Sequence, residues 1–210
     1  MVRIVKDPKE RKEEIVAAAG ELFFTKGYDN TTMKDVMVRL NIAKGTIYHY
    51  FASKDELLEA VIDKVAEEEW QRLQLIAEQT EGTVLERFKH LVIEGSKNSG
   101  GDGHHDLIEH LHQTSNAGMH IRLLAKILTI QAPLYAELIV QGSEEGTFQT
   151  DSPLECAEFI LAGVQFLVDL GVYSWSQEQL QRRWKAFPAI IESLLQAPQG
   201  SFSFLHEIEL

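Results

Sequence analysis

A single cysteine, Cys156, serves the whole chain, so no intrachain disulfide can form, and a reducing compartment is the natural expectation. Cys156 lies in an apolar helical run and reads as buried filler rather than a redox sensor. Five prolines in 210 residues are too few for a proline-rich or collagen-like chain. No run of 18 or more apolar residues occurs, which excludes the plainest signature of a membrane-spanning helix. The opening Met1–Asp7 lacks the apolar core of a signal peptide, so a cytoplasmic protein is expected. Alternating strand patterns are nearly missing, and no segment repeats at a fixed period.

Positive charge is also scarce: 20 Lys and Arg stand against 32 Asp and Glu, a net of −12. The distribution says more than the total. Residues 1–54 carry a net of +3 and residues 55–210 a net of −15. A mildly basic head on an acidic body can meet phosphates with the head while the body is repelled, which orients the molecule. The organisation expected is a head over 1–54 and a body over 55–210.

What is present is helical. Asp7-Pro8-Lys9-Glu10 reads as a helix start, with Asp7 as cap, Pro8 at the first position and Glu10 closing a capping box. Ile15, Ala18, Ala19, Leu22 and Phe23 follow at helical spacing, and Gly27 ends the helix after Lys26. Thr32 with Asp35 starts a second helix that Asn41 can end in the left-handed conformation. A short helix follows from Lys44 to Phe51. Ser53 with Glu56 then opens a long helix running toward Gln79 and closed by Gly82. Further helices are expected near 83–97, 104–115, 118–142, 153–174 and 177–197. A flexible linker is expected over 96–103, a capped start at Ser152-Pro153 and a bend at Pro188. The fold class is all-α with about nine helices.

Two short helices joined by about three residues, held on a longer one, make a helix-turn-helix, whose second helix can enter the DNA major groove. Here Ile47 and Phe51, four apart, face a small core with Leu22, Val36 and Leu40. The other face presents Lys44, Thr46, Tyr48, His49 and Tyr50. Lys44 can donate to guanine or phosphate, and Gly45 lets the backbone approach closely. Thr32 and Lys54 stand at helix starts where phosphates are held, and tyrosine hydroxyls do the same at longer reach.

The stretch from Arg11 to Ile62 resembles the DNA-binding domain of the tetracycline-repressor (TetR/AcrR) family. The resemblance rests on Ala19, Leu22-Phe23, Gly27-Tyr28 and Thr31-Thr32, and above all on Ile42-Ala43-Lys44-Gly45-Thr46-Ile47-Tyr48-His49-Tyr50-Phe51 with Lys54. It implies a homodimeric repressor with a C-terminal helical domain for ligand binding and dimerisation. By position, Lys44, Gly45 and Thr46 would meet base edges, while Thr32, Met33, Tyr48, His49, Tyr50 and Lys54 would contact mainly backbone. Ala43 stands where the family usually has a capping serine, which weakens this helix start by about 0.5–2 kcal/mol. Asn41 replaces the usual glycine at little cost.

In the body, the runs around Phe159, Ile160, Gly163 and Leu167 and around Trp184, Phe187, Ile191 and Leu194 are apolar on more than one face. Each such helix must bury two sides, one of them on a twin subunit; the resemblance implies a four-helix bundle from two subunits. A ligand pocket is sought among Trp70, Leu73, Met119, Leu123, Ile127, Tyr135, Phe166 and Tyr173, by apolar character and position. Five histidines crowd into residues 104–120. If residues 104–112 are helical, His105, Glu109 and His112 share one face at a spacing that can hold a divalent metal. A polar contact to a ligand, including through His112, and an incidental surface are the competing readings. An acidic body suits a cationic effector, although most of its carboxylates are solvated surface.

No nucleophile elbow, P-loop, dinucleotide fingerprint or zinc-protease motif occurs, so an enzyme is not expected and no cofactor is implied. The expected function is a ligand-responsive dimeric transcriptional regulator, most simply a repressor. It would bind double-stranded palindromic DNA and leave it on binding an unknown small molecule.

Overall fold

The computed structural model describes residues 7–78, 81–96 and 111–207. Among these residues there are eight α-helices and no strand: α1 Pro8–Lys26, α2 Met33–Leu40, α3 Lys44–Tyr50, α4 Lys54–Glu78, α5 Val84–Ser96, α6 Ala117–Glu144, α7 Pro153–Val168 and α8 Gln177–Leu195. Short 3₁₀ turns occupy Thr114–Asn116 and Ser203–Glu207. Of the expected linker over 96–103 only Ser96 is described, as the last residue of α5. Of the helix expected over 104–115 only 111–115 are described, where the chain turns at 112–113 and forms a 3₁₀ turn instead of continuing a helix; His104, His105, Glu109 and His110 lie outside the described residues.

Contacts divide the chain into two compact units. Met1–Val65 joins with Asp102–Leu123, and Ala66–Gly101 joins with Leu124–Leu210. In the first unit, Ile15, Ala19 and Phe23 of α1 are buried with Val36 of α2, Ile47 of α3, Phe51, and Leu57, Leu58, Val61 and Ile62 of α4. Leu22 and Leu40, expected at the centre of this core, are only half-buried. Local chemistry sets the helix ends. Asp7 accepts from the Lys9 amide at 2.7 Å, so the first cap bonds one residue earlier than the expected capping box with Glu10. At α2 the reciprocal box of Thr32 and Asp35 is complete, and Asn41 is left-handed (φ 51°). Ala43 gives α3 no side-chain cap.

The stretch Thr114–Asn116 anchors onto the turn after α1. Buried Asn116 accepts from the Tyr28 amide at 2.6 Å, and the Ser115 carbonyl accepts from the Asp29 amide at 3.0 Å. Gly27 (φ +93°) is required twice over, because a β-carbon there would strain the backbone and run into Ser115.

The second unit closes on aromatic rings. Phe88 of α5 meets Tyr135 of α6, Phe148 and Phe202 with centroids 5.5, 6.3 and 5.3 Å away. The tail after Pro198 belongs to this core: Phe202, Phe204 and Leu205 are buried, and the buried Glu192 carboxylate accepts from the Gly200 and Phe202 amides at 2.9 and 3.1 Å. Helix α7 ends six residues before the expected 174, because the Asp169 side chain captures the Gly171 and Val172 amides at 2.8 and 3.0 Å and turns the chain. Its Ser152 makes no side-chain cap bond, contrary to expectation; Pro153 at the first turn starts the helix. Prolines sit inside α6 (Pro133) and α8 (Pro188). By length and composition Thr114–Glu144 reaches what a membrane-spanning helix needs. Part of its apolar surface goes into the two cores, Met119 and Leu123 in one, Tyr135, Leu138 and Ile139 in the other, while Ile121 and Val140 are exposed.

Candidate nucleic-acid interface and cavity

Helix α3 turns Ile47 inward, fully buried, and leaves Lys44, Gly45, Tyr48 and His49 exposed, with Thr46 and Tyr50 half-buried. The Lys44 ammonium lies 5.6 Å from the Tyr48 ring centroid, and His49 packs edge-on against Tyr50 at 5.0 Å. Nothing lies within 4 Å of where a β-carbon on Gly45 would sit. The fold itself therefore does not require glycine at this position.

Beside α3 lies an open depression floored by the start of α2, with Thr32, Met33, Lys34, Lys44, Tyr48 and Lys54 among its lining. Met33 is buried in its floor, whereas Lys34, which sequence reasoning missed, is exposed. The two residues at helix starts are already engaged. The Thr32 hydroxyl donates to Asp35 at 2.6 Å, and the Thr32 amide donates to the same oxygen at 2.7 Å. With Lys26 3.0 Å away, these bonds hold the Asp35 carboxyl down at about 2. Lys54 donates to the Tyr28 carbonyl at 2.9 Å and lies 4.1 Å above the Tyr28 ring. Tyr28, also missed, donates toward Asp55 at 3.4 Å; burial first, then the Asp55 charge, push its pKa up and keep the hydroxyl protonated.

The second unit holds a partly open cavity of about 300 Å³. Its wall takes Glu69 and Leu73 from α4, Phe88, Val92, Gly95 and Ser96 from α5, and Gln131, Tyr135 and Ile139 from α6. Helix α7 adds Ala157, Ile160, Leu161, Val164 and Gln165, helix α8 adds Trp184 and Ile191, and the tail adds Phe202 and Leu205. Of the residues expected in a pocket, Leu73 and Tyr135 are on this wall. Trp70 lines a separate groove with Arg87 and Glu137. Met119 and Leu123 are spent in the core of the first unit, where His112 stacks on His120 at 5.1 Å. Ile127 is half-buried away from the wall. Phe166 and Tyr173 pack on each other at 5.4 Å, with Phe166 exposed.

Several residues expected between subunits turn inward instead. Ile160, Trp184 and Ile191 face the cavity, and Phe187 and Ile191 are buried by their own chain, because α8 packs on α7 and on the tail through that face. Gly163 and Leu194 are half-buried. Phe159 and Leu167 of α7 stay exposed, as do Leu154, Leu170 and Ile190. The apolar content of these two helices is divided between faces that the sequence pattern does not distinguish. The amides Gln131 and Gln165, breaks in apolar runs, were the available sign of an interior wall with polar work to do.

Residues 15–61 match the family model described as bacterial regulatory proteins of the tetR family, and residues 102–190 match a tetracyclin repressor-like C-terminal domain. The HTH-type transcriptional regulator YfiR of Bacillus subtilis (strain 168), itself uncharacterized, is 26% identical over 162 residues, 76% of this chain and 79% of that protein. The HTH-type transcriptional repressor KstR2 of Mycobacterium tuberculosis (strain H37Rv) is 24% identical over 161 residues, 72% of this chain and 76% of that one. In fold the chain is similar to a TetR-family regulator from Pectobacterium atrosepticum, with a TM-score of 0.65 at 20% identity over 94% of this chain and 100% of the other. Head and body are thus matched by models of one family: the chain belongs to the TetR family of helix-turn-helix transcriptional regulators.

Proposed function

We propose that the chain is a cytoplasmic homodimeric repressor that holds a palindromic operator through paired α3 helices and releases it when a small molecule fills the cavity. The observation that carries this reading is α3 itself: its apolar residues are buried, while Lys44, Gly45, Tyr48 and His49 form an exposed face with no steric demand for glycine. Lys44, Gly45 and Thr46 would read base edges. Tyr48, His49, Tyr50 and Lys54 would set the register on the backbone, while Thr32, whose donors Asp35 takes, and buried Met33 would shape the start of α2 beside them. The exposed apolar residues of α7 and α8, centred on Phe159 and Leu167, favour a second copy of the chain as partner. Helix α4 carries Lys54 in its first turn and Leu73 on the cavity wall, so a change in one helix reaches both ends of the proposed switch.

The test is binding of the purified dimer to sequences selected from a random duplex library, followed across salt concentrations. Lys44→Ala should weaken the selected sites by about tenfold or more and flatten base preference at the contacted position. Unchanged affinity and preference would refute the groove assignment.

A further inference from the structure

We infer that Tyr135 is the polar recognition residue of the cavity, and that the effector is an uncharged, mainly apolar molecule with one neutral oxygen, a ketone or an alcohol, bonded to the Tyr135 hydroxyl. The inference rests on the proposed repressor reading and adds the contact and the chemical class that the cavity selects.

Tyr135 reaches along the wall from α6. Its ring packs on Phe88 of α5 with centroids 5.5 Å apart. Its hydroxyl lies 4.0 Å from where a β-carbon on Gly95 would sit, a point 2.9 Å from the Leu73 side chain of α4. Tyr135, Gly95 and Leu73 all line the cavity, so the hydroxyl stands where the walls from α6, α5 and α4 meet. Tyr135 is only 8% exposed, yet its hydroxyl has no hydrogen-bond partner among the described residues. Nor is the hydroxyl sealed inside the packing: the sealed and unmet polar side-chain atoms among those residues are the Arg87 Nε and the Trp184 Nε1. Burial first, then the Glu69 charge, push the Tyr135 hydroxyl up, so it keeps its proton and can donate. A hydroxyl that the fold does not use, at the surface of a cavity, is free for what enters. An oxygen on the ligand replaces the water held there, whereas a hydrocarbon strips that water and returns nothing.

The other polar groups of the wall are engaged. Gln165 donates to Gln131 at 3.0 Å, which satisfies part of both amides, and Ser96 donates to the Ile93 carbonyl at 2.9 Å. Glu69 is the only carboxylate among the described residues of the wall, and both its oxygens are held by Arg72 at 2.8 and 2.9 Å. Arg72 also donates to the Glu94 and Gly95 carbonyls at 3.2 and 2.7 Å. A cationic effector would meet no carboxylate that is not already neutralised, contrary to what the acidic composition suggests. An anionic one fares no better, because the described residues of the lining include no Lys, Arg or His. An unpaired charge taken from water into such a wall is heavily penalised. The cavity volume falls at the lower end of the range for small-molecule sites.

Four probes of matched shape on one naphthalene frame test this with the full-length protein by calorimetry: 2-acetylnaphthalene, 2-isopropenylnaphthalene, 2-naphthoate and 2-naphthamidinium. The ketone should bind about three- to tenfold tighter than the alkene, one net hydrogen bond, and at least about tenfold tighter than either ion. Its carbonyl stretch should move to lower frequency on binding. Tyr135→Phe removes the hydroxyl and nothing else. It should bring the ketone down to the alkene, abolish the carbonyl shift and leave alkene binding no weaker. The melting temperature of Tyr135→Phe should not fall, because the hydroxyl bonds to no described residue.

A ketone preference or carbonyl shift that survives Tyr135→Phe, or a Tyr135→Phe protein that melts clearly lower, overturns the assignment of this hydroxyl to a ligand. An ion that binds as tightly as the ketone overturns the proposed class, and so does failure of both neutral probes to bind. Neither result touches the reading of α3, which is tested on DNA alone. If the ketone binds as expected yet saturating ketone leaves DNA affinity untouched, the repressor reading falls and the Tyr135 contact stands.

Discussion

Replacing Gly45 by alanine should move stability and DNA binding in opposite directions. Gly45 is the second residue of α3 and has no neighbour within 4 Å of its virtual β-carbon. A methyl group there collides with nothing in the free protein. Alanine is preferred to glycine in helices by up to about 1 kcal/mol, and a glycine-to-alanine change at a compatible backbone position gains roughly 0.4–1 kcal/mol. In a chain of this size that raises the melting temperature by about 1–4 °C. The same methyl would project where the backbone is proposed to lie against base edges, once in each half-site, so binding to selected duplexes should fall about tenfold or more. Circular-dichroism melting and fluorescence anisotropy with labelled DNA read the two effects separately. A Gly45→Ala protein that melts lower would mean that the fold, not DNA, demands the glycine. One that binds with wild-type affinity would mean that this face does not approach DNA closely.

Two further outcomes follow from particular contacts. Glu192→Ala removes the carboxylate that accepts from the Gly200 and Phe202 amides, and leaves the buried Phe202 amide without its partner. It should cost about 1–3 kcal/mol in urea unfolding and expose the tail to limited proteolysis; an unchanged midpoint would show that the tail is held by its phenylalanines alone. Phe159→Asp puts a charge on the proposed dimer face at a residue that is 67% exposed. Sedimentation should find the substituted chain monomeric with its melting curve little changed, whereas a persisting dimer would place the interface elsewhere.

Much of the helical layout was legible because it is encoded locally. Asp7-Pro8, Thr32 with Asp35 and Asn41 each act within a turn of the chain, and the structure puts helix ends where these residues stand. Non-local closures were not legible. Nothing in the tail from Pro198 announces that Phe202 packs beside Phe88 and Phe148, since that contact joins distant segments. The early end of α7 was missed because Asp169 competes through its side chain for amides that an apolar pattern assigns to a helix. A helix apolar on two faces states that two faces are covered, not by what. Ile160, Trp184 and Ile191 on the cavity wall and Phe159 in the open differ in environment but not in pattern.

The same limit applies to Thr32 and Lys54, which look equivalent as phosphate holders in sequence and differ in the fold. A threonine hydroxyl has one hydrogen, and here Asp35 has it. A lysine ammonium has three, of which the Tyr28 carbonyl takes one, so Lys54 can meet a phosphate without leaving its place over the Tyr28 ring. Lys54→Gln should therefore reduce the salt dependence of DNA binding by about one unit of slope per half-site. Thr32→Val should leave that slope unchanged and act on the helix start instead, lowering stability by about 0.5–2 kcal/mol. The signature is the Asp35 carboxyl. Its folded value of about 2 lies below the ordinary 3.8, so its contribution is present above roughly pH 4 and is lost as pH falls toward 2. Without the threonine hydroxyl, the largest cause of the depression, the carboxyl titration followed by NMR should move back toward the ordinary value. A Thr32→Val protein that kept the low Asp35 titration but lost DNA affinity at fixed salt, beside a Lys54→Gln protein with an unchanged salt slope, would reverse the assignment, making Thr32 the phosphate ligand and leaving Lys54 to its tyrosine.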